Sequence, residues 1–296
     1  MRVLVFGAGS LGSLLGGLLA RAHDVTLVGR DPHVERVRDE GLRISGEHSD
    51  GVEPAATTAV PAESFDLAVV AVKAYDTPAA AEALAAAELD AVLSVQNGLG
   101  NERTLAAALD AEVLAGTCTY GARLVEPGVV ECTGRGEVAL GPPEGAASAI
   151  ADAVGAAFRE ADIATTVAAD MPRRLWEKLA VNAGINAVTA LARVENGALV
   201  DGPASEPAWE AAREVARVAR VEGVTLSDEA AVEAVEGVAV ATTANRSSML
   251  QDVEGGTRTE VDAINGAVVD RADTPVPVNE TLTALVRGWE RERGLR

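Results

Sequence analysis

The chain has 296 residues, 48% hydrophobic but only 3% aromatic, which suits two cores built from Ala, Val and Leu and excludes a disordered chain. With 45 acidic against 25 basic residues its formal charge is −20, which excludes nucleic acid and anionic membranes as partners. Such a surface suits concentrated salt, where screening relieves self-repulsion, and predicts activity that declines in dilute buffer.

The first thirty residues read as strand, tight turn, helix and strand. Val3 to Phe6 is a short apolar run of the kind buried on both faces of a sheet. Gly7-Ala8-Gly9-Ser10-Leu11-Gly12 follows, then an apolar helix over 14–20 and a second strand over 25–28. This is GxGxxG inside a βαβ unit, the context in which it cradles a dinucleotide. Gly7 makes the turn, Gly9 admits a pyrophosphate to the backbone, and Gly12 permits close helix–strand packing. The phosphates would rest on amides at the helix start. Where an acid commonly binds ribose hydroxyls at the end of the second strand, this chain has Gly29-Arg30-Asp31. Arg30 suits a 2′-phosphate, so the pattern points to NADPH, while neighbouring Asp31 keeps NADH as the alternative.

Alternation continues with strands over 67–72, 91–95, 113–117, 128–132, 137–140 and 164–167 and helices over 79–87 and 146–161. The strands at 128–132 and 137–140 are able to form a hairpin. Lys73 and Asn97 follow strand ends, where open α/β sheets bind ligands. From Arg173 onward the periodicity is helical, with breaks near Gly202-Pro203, Gly223, Gly255-Gly256 and Pro275-Val276-Pro277. The expected fold is α/β: a Rossmann-type dinucleotide-binding domain over 1–168 and an all-helical substrate and catalytic domain over 169–296.

Among 25 basic residues only Lys73 and Lys178 are lysine, the rest arginine. Lysine can release a proton that arginine retains, so these two positions suggest chemistry arginine cannot perform. Lys178 recurs with Asn182 and Asn186 every fourth residue, one polar stripe on an otherwise apolar helix. Burying an ammonium and two amides costs several kcal/mol unless each finds a partner, so the stripe either pairs within the protein or lines a site. Asn245, Ser248 and Gln251 form a second polar set. Glu260 reads from composition as one more solvated acid. Cys118 and Cys132 have no metal-ligand or CxxC spacing and read as free thiols of a reducing compartment. His23, His33 and His48 lie in stretches that look like turns or surface, so neither a histidine metal site nor a triad is expected. No apolar run approaches about eighteen residues, so no membrane span is expected. The start MRVLVFGAGS has no secretory layout, which suggests a cytoplasmic protein.

GAGSLG (7–12), VKAYDT (72–77), QNGLGNE (96–102), WEKLAVNAGIN (176–186), NRSSMLQD (245–252) and TEVDAINGAVV (259–269) together resemble the ketopantoate reductase family over essentially the whole chain. The resemblance implies NADPH-dependent reduction of ketopantoate to pantoate, on the route to pantothenate and coenzyme A. Lys178 would be the general acid and Glu260 would bind the substrate hydroxyl and help hold the lysine. Asn97, Asn182, Asn186, Asn245 and Ser248 would bind substrate, and Asn97, Lys73, Arg30 and residues 7–12 would bind cofactor. The expected protein acts on a small molecule as a monomer or homodimer. A reductase of another branched 2-oxo acid and a non-catalytic NADP-binding sensor are the competing readings.

Overall fold

The computed structural model describes all 296 residues. The chain begins with β1 (Arg2–Phe6), α1 (Ser10–Leu19), β2 (Asp24–Val28) and α2 (His33–Glu40). Next come β3 (Leu42–Gly46), β4 (Asp50–Val52), β5 (Ala55–Thr57), β6 (Ser64–Val70), α3 (Thr77–Leu84), β7 (Glu88–Ser94) and α4 (Asn101–Ala106). The strand-bearing part ends with β8 (Glu112–Cys118), β9 (Gly121–Glu126), β10 (Val129–Gly134), β11 (Val138–Gly141), α5 (Ala149–Glu160) and β12 (Thr165–Val167). The chain divides into two compact units: Met1–Gln96 with Gly100–Met171, and Asn97–Leu99 with Pro172–Arg296.

In the first unit an eight-stranded sheet has the order β12-β11-β8-β7-β6-β1-β2-β5. β1 pairs in parallel with both β2 and β6, so the strand order reverses beside it. That reversal is the switch point at which such sheets open a crevice for ligands. Val3 and Val5 join the core on one face of the sheet and Leu4 the core on the other. The alternation explains why this strand reads as unbroken apolar sequence.

Two expectations are corrected here. The segments at 128–132 and 137–140 form no hairpin. β10 instead joins a second sheet of order β4-β3-β10-β9, while β11 runs antiparallel to β8 in the main sheet. Burial separates them, since all four β11 residues are buried whereas β9 and β10 keep exposed positions. The histidines also differ from expectation, because His33 and His48 are each only 5% exposed.

Gly128 N–H donates to His33 Nδ1 at 3.0 Å, and Ser13 Oγ lies 2.9 Å from Nε2, so the ring staples α1 and α2 to the turn before β10. Burial pushes this imidazole below its ordinary 6.5. His48 moves the same way, through burial first and then through Arg135 and Arg21. Protons are therefore bound more readily by the unfolded chain, so this share of stability is complete above pH 6.5 and lost as pH falls below it. Thermal unfolding followed from about pH 8 to pH 5 should show that decline. His33→Asn, which keeps an acceptor for Gly128, should make the slope shallower.

The second unit contains α6 (Met171–Ala192, from Pro172), α7 (Ser205–Val221), α8 (Asp228–Ala241), α9 (Ser248–Gly255), α10 (Asn265–Arg271) and α11 (Pro277–Glu292). The expected breaks all fall at the ends of these helices or between them, with Gly223 and Gly256 at positive φ. Small side chains replace the missing aromatics: Ala208, Ala211, Ala212, Ala216 and Ala219 of α7 are fully buried. A Cβ added to Gly184 of α6 would meet the Ala208 carbonyl oxygen at 2.8 Å, so these helices pack nearly backbone to backbone. Buried Glu214 accepts from the Val278 and Asn279 amides at 2.9 and 2.8 Å. Asn265 Nδ2 donates to Asn279 Oδ1 and to the Ala183 carbonyl, which ties α10 to α11 and α6. Stranding one such buried group costs about 1–3 kcal/mol, so this network fixes the frame that carries α6. No helix in the chain is long and apolar enough to cross a membrane.

Candidate active site

In the first unit, residues 7–9 connect β1 to α1 and residues 10–12 open that helix. Gly7 adopts φ +106°, and a Cβ there would meet Val72 at 2.7 Å. A Cβ on Gly12 would land on the Gly7 carbonyl oxygen. Both glycines are thus required by the protein's own packing. Gly9 is different, because a Cβ there would meet nothing within 4 Å. It caps α1 without a side-chain hydrogen bond, and no acidic residue occupies the first turn. An uncapped helix start beside open space at a glycine fits a bound pyrophosphate.

Gly29 follows β2 and packs against Ala8, whose Cβ would lie 2.7 Å from an added Cβ, so an acid at this position has no room. Asp31 Oδ1 accepts from the Glu35 amide at 3.1 Å and so serves α2. Arg30 is exposed. Lys73, three residues beyond β6, is partly buried at the head of a single 3-10 turn over Ala74–Asp76. A polar set that the sequence reading missed holds this turn. Gln96 Nε2 donates to the Val72 carbonyl and to Thr77 Oγ1, at 3.1 and 2.7 Å, and Thr77 Oγ1 donates to Asn101 Oδ1 at 2.9 Å. All three lie inside VKAYDT or QNGLGNE, and that was the available signal. A separate cavity of about 390 Å³ in this unit is lined by His48, Tyr120, Arg135 and Arg159, and no candidate residue lines it.

In the second unit, α6 is buried on nearly every side, with Leu179, Ala180, Ala183 and Ala187 at 0–1% exposure, though Leu191 near its end is exposed. Lys178 and Asn182 are partly buried and Asn186 is buried. Asn182 Nδ2 donates to Asn97 Oδ1 at 3.4 Å, and Asn97 Nδ2 donates to Glu260 Oε2 at 3.2 Å. This line sets the orientation of the Asn97 amide, oxygen toward Asn182 and nitrogen toward the carboxylate. Glu260 is 5% exposed, so the solvated-acid reading of it fails. It sits in the connection between α9 and α10, where its carbonyl accepts from the Ala263 and Ile264 amides. Asn186 Nδ2 is buried and lacks a hydrogen-bond partner. A buried donor left unmet is costly and suits a site that awaits a ligand.

Asn245 and Ser248 are exposed. The structure does not add them to the line from Asn182 to Glu260. Their neighbour Ser247 is buried, lies 2.7 Å from Thr189 Oγ1 and accepts from the Leu250 amide, so it fixes the start of α9.

A mostly parallel α/β sheet with a GxGxxG turn, followed by a helical unit with a lysine–asparagine stripe, defines a two-unit α/β-plus-helical class of fold, and comparison with known proteins narrows it. The family model described as ketopantoate reductase PanE/ApbA matches residues 3–145, and that of its C-terminal part matches residues 170–290. A 2-dehydropantoate 2-reductase of Halobacterium salinarum is 48% identical, over 99% of this chain and 100% of the relative. A crystal structure of a PanE/ApbA family ketopantoate reductase from Ralstonia eutropha JMP134 has a TM-score of 0.91 and 34% identity, covering 99% of this chain and 100% of its own. D-mandelate dehydrogenase, solved with NADH and anilino(oxo)acetate, shares the fold at a TM-score of 0.93 and 23% identity, with both chains fully covered. The chain belongs to the ketopantoate reductase family of oxidoreductases.

Proposed function

We propose that this chain reduces ketopantoate to pantoate with NADPH, in the cytoplasmic route to pantothenate and coenzyme A, with Lys178 as general acid. The observation that carries this reading is the hydrogen-bonded line Asn182–Asn97–Glu260, drawn from three distant parts of the sequence onto the helix that bears Lys178. The 48% identity to a protein named for this reaction supports it.

When bound, the reduced nicotinamide supplies a hydride to the substrate's carbonyl carbon. Lys178 gives its proton to the carbonyl oxygen, so ketone, hydride and proton together make the alcohol. The lysine cation also offsets the negative charge growing on that oxygen, and such an interaction is strongest where water is excluded. Glu260 accepts from Asn97 and retains lone pairs for the substrate's terminal hydroxyl. The unmet Asn186 amide and the Asn182 amide would hold substrate oxygens, with Ser248 and Asn245 as further ligands. Residues 7–12 would hold the pyrophosphate, and Lys73 and Asn97 the nicotinamide side. Packing leaves no room for an acid at Gly29 and Asp31 is occupied with α2, so Arg30 is the group available to a 2′-phosphate, which supports NADPH over NADH.

Loss of nicotinamide absorbance tests this directly. Ketopantoate should be reduced with a kcat/KM exceeding that of 2-oxoisovalerate, which lacks the hydroxymethyl arm, by roughly 10²-fold or more. NADPH should outperform NADH, and Arg30→Ala should narrow that gap. Equal use of both acids would transfer the assignment to a general branched 2-oxo acid reductase, and cofactor binding without turnover would leave a sensor.

A further inference from the structure

Thr259 immediately precedes Glu260 and is 1% exposed. Its amide and its hydroxyl both donate to one oxygen, Glu290 Oε1, at 2.8 and 2.6 Å. Thr259 Oγ1 in turn accepts from the Val261 amide at 3.2 Å, so the residues on both sides of Glu260 share one anchor. Glu290 lies near the end of α11 and is fully buried. Its other oxygen, Oε2, accepts from Arg296 Nε at 3.0 Å and from Nη2 at 2.9 Å. The same guanidinium pairs with Asp262, which also accepts from Arg287 Nε at 2.8 Å. Burial opposes ionisation of Asp262, yet hydrogen bonds from Arg296 and Arg287 outweigh it and hold its carboxyl below the ordinary range.

A fully buried carboxylate is expensive unless its lone pairs are met, and here four donors meet them. Two of those donors belong to Thr259, which adjoins the proposed substrate-binding residue Glu260, and a merely stabilising ion pair does not require that. We infer that Glu290 is a positioning residue: through Thr259, with Arg296 as counter-ion, it sets where the Glu260 carboxylate meets substrate. This rests on the proposed role of Glu260 and extends it to its neighbour Thr259 and to two residues far from it in sequence, Glu290 and Arg296.

Thr259→Val removes the hydroxyl at nearly constant volume, and Thr259→Ser restores it. With ketopantoate and NADPH, Thr259→Val should lower kcat/KM by about 10–100-fold, expressed mainly in the KM for the 2-oxo acid, since small displacements of a binding group have effects of this size. The KM for NADPH should be unchanged, and Thr259→Ser should recover most of the loss. Glu290→Gln, which keeps an acceptor but loses the charge facing Arg296, should fall between them. Thr259→Val with a normal KM, or Thr259→Ser as impaired as Thr259→Val, would overturn the inference. Amide hydrogen exchange of residues 259–264 in the full chain supplies a readout that needs no substrate: faster in Thr259→Val, normal in Thr259→Ser. If wild type ignores ketopantoate, the functional reading fails, and this exchange contrast alone decides whether the anchor exists.

Discussion

Lys178→Ala is expected to reduce ketopantoate turnover by about 10²–10⁴-fold, the usual contribution of a positioned acid, or roughly 3–5 kcal/mol of barrier. NADPH affinity should be retained, because α6 carries Lys178 in the helical unit while residues 7–12 belong to the sheet unit. Lys178→Arg separates two roles of the lysine. Arginine keeps the positive charge beside the carbonyl oxygen but holds its proton, so the 2-oxo acid and NADPH should still bind while turnover stays low. Steady-state kinetics with dinucleotide titration reads both quantities. Near-normal turnover in Lys178→Ala would refute the general-acid assignment, and full recovery in Lys178→Arg would make the role purely electrostatic.

Gly9→Ala and Gly12→Ala should fail in opposite ways. At Gly12 the new methyl collides with the Gly7 carbonyl, so α1 must shift; overpacking of this kind typically costs about 1–3 kcal/mol. In a protein of this size that corresponds to a fall in Tm of roughly 2–10 °C. At Gly9 the methyl meets nothing, so the apo protein should melt within about 0.5 kcal/mol of wild type. NADPH normally raises the Tm of a protein that binds it, and Gly9→Ala should lose much of that rise because its methyl occupies the phosphate approach. Thermal unfolding of both variants, with and without NADPH, checks the pair. A Gly9→Ala protein stabilised by NADPH as fully as wild type would remove the pyrophosphate from this turn.

The start of the sheet unit was legible because β1, α1 and β2 are sequence neighbours and their apolar periods are local. The second sheet was not, since β10 pairs with β3 across more than eighty intervening residues, a contact that no local period records. In the site, the Lys178 stripe showed itself because polar residues at helical spacing stand out on an apolar helix. Glu260 did not, being one of 45 acids, and it is distinguished by its burial and by an amide partner 163 residues away. Thr259 and Glu290 were invisible for the same reason: a hydroxyl–carboxylate pair 31 positions apart leaves no periodic trace. Buried His33 was misread because it lies in a charge-rich stretch with Arg30, Asp31, Glu35 and Arg36, while its partners, Ser13 and Gly128, come from elsewhere.

Asn97, Gly98 and Leu99 group with Pro172–Arg296 although the chain on both sides of them belongs to the sheet unit. Gly98, at φ +84°, leaves no space for a side chain against Ala263. The helical half is therefore not a self-sufficient module. Severed at residue 172, it would retain its lysine and its glutamate but forfeit the amide that links Asn182 to Glu260. Any recombination that exchanged the nucleotide-binding half for a foreign one would have to carry this borrowed tripeptide with it, which ties the inheritance of the two halves together.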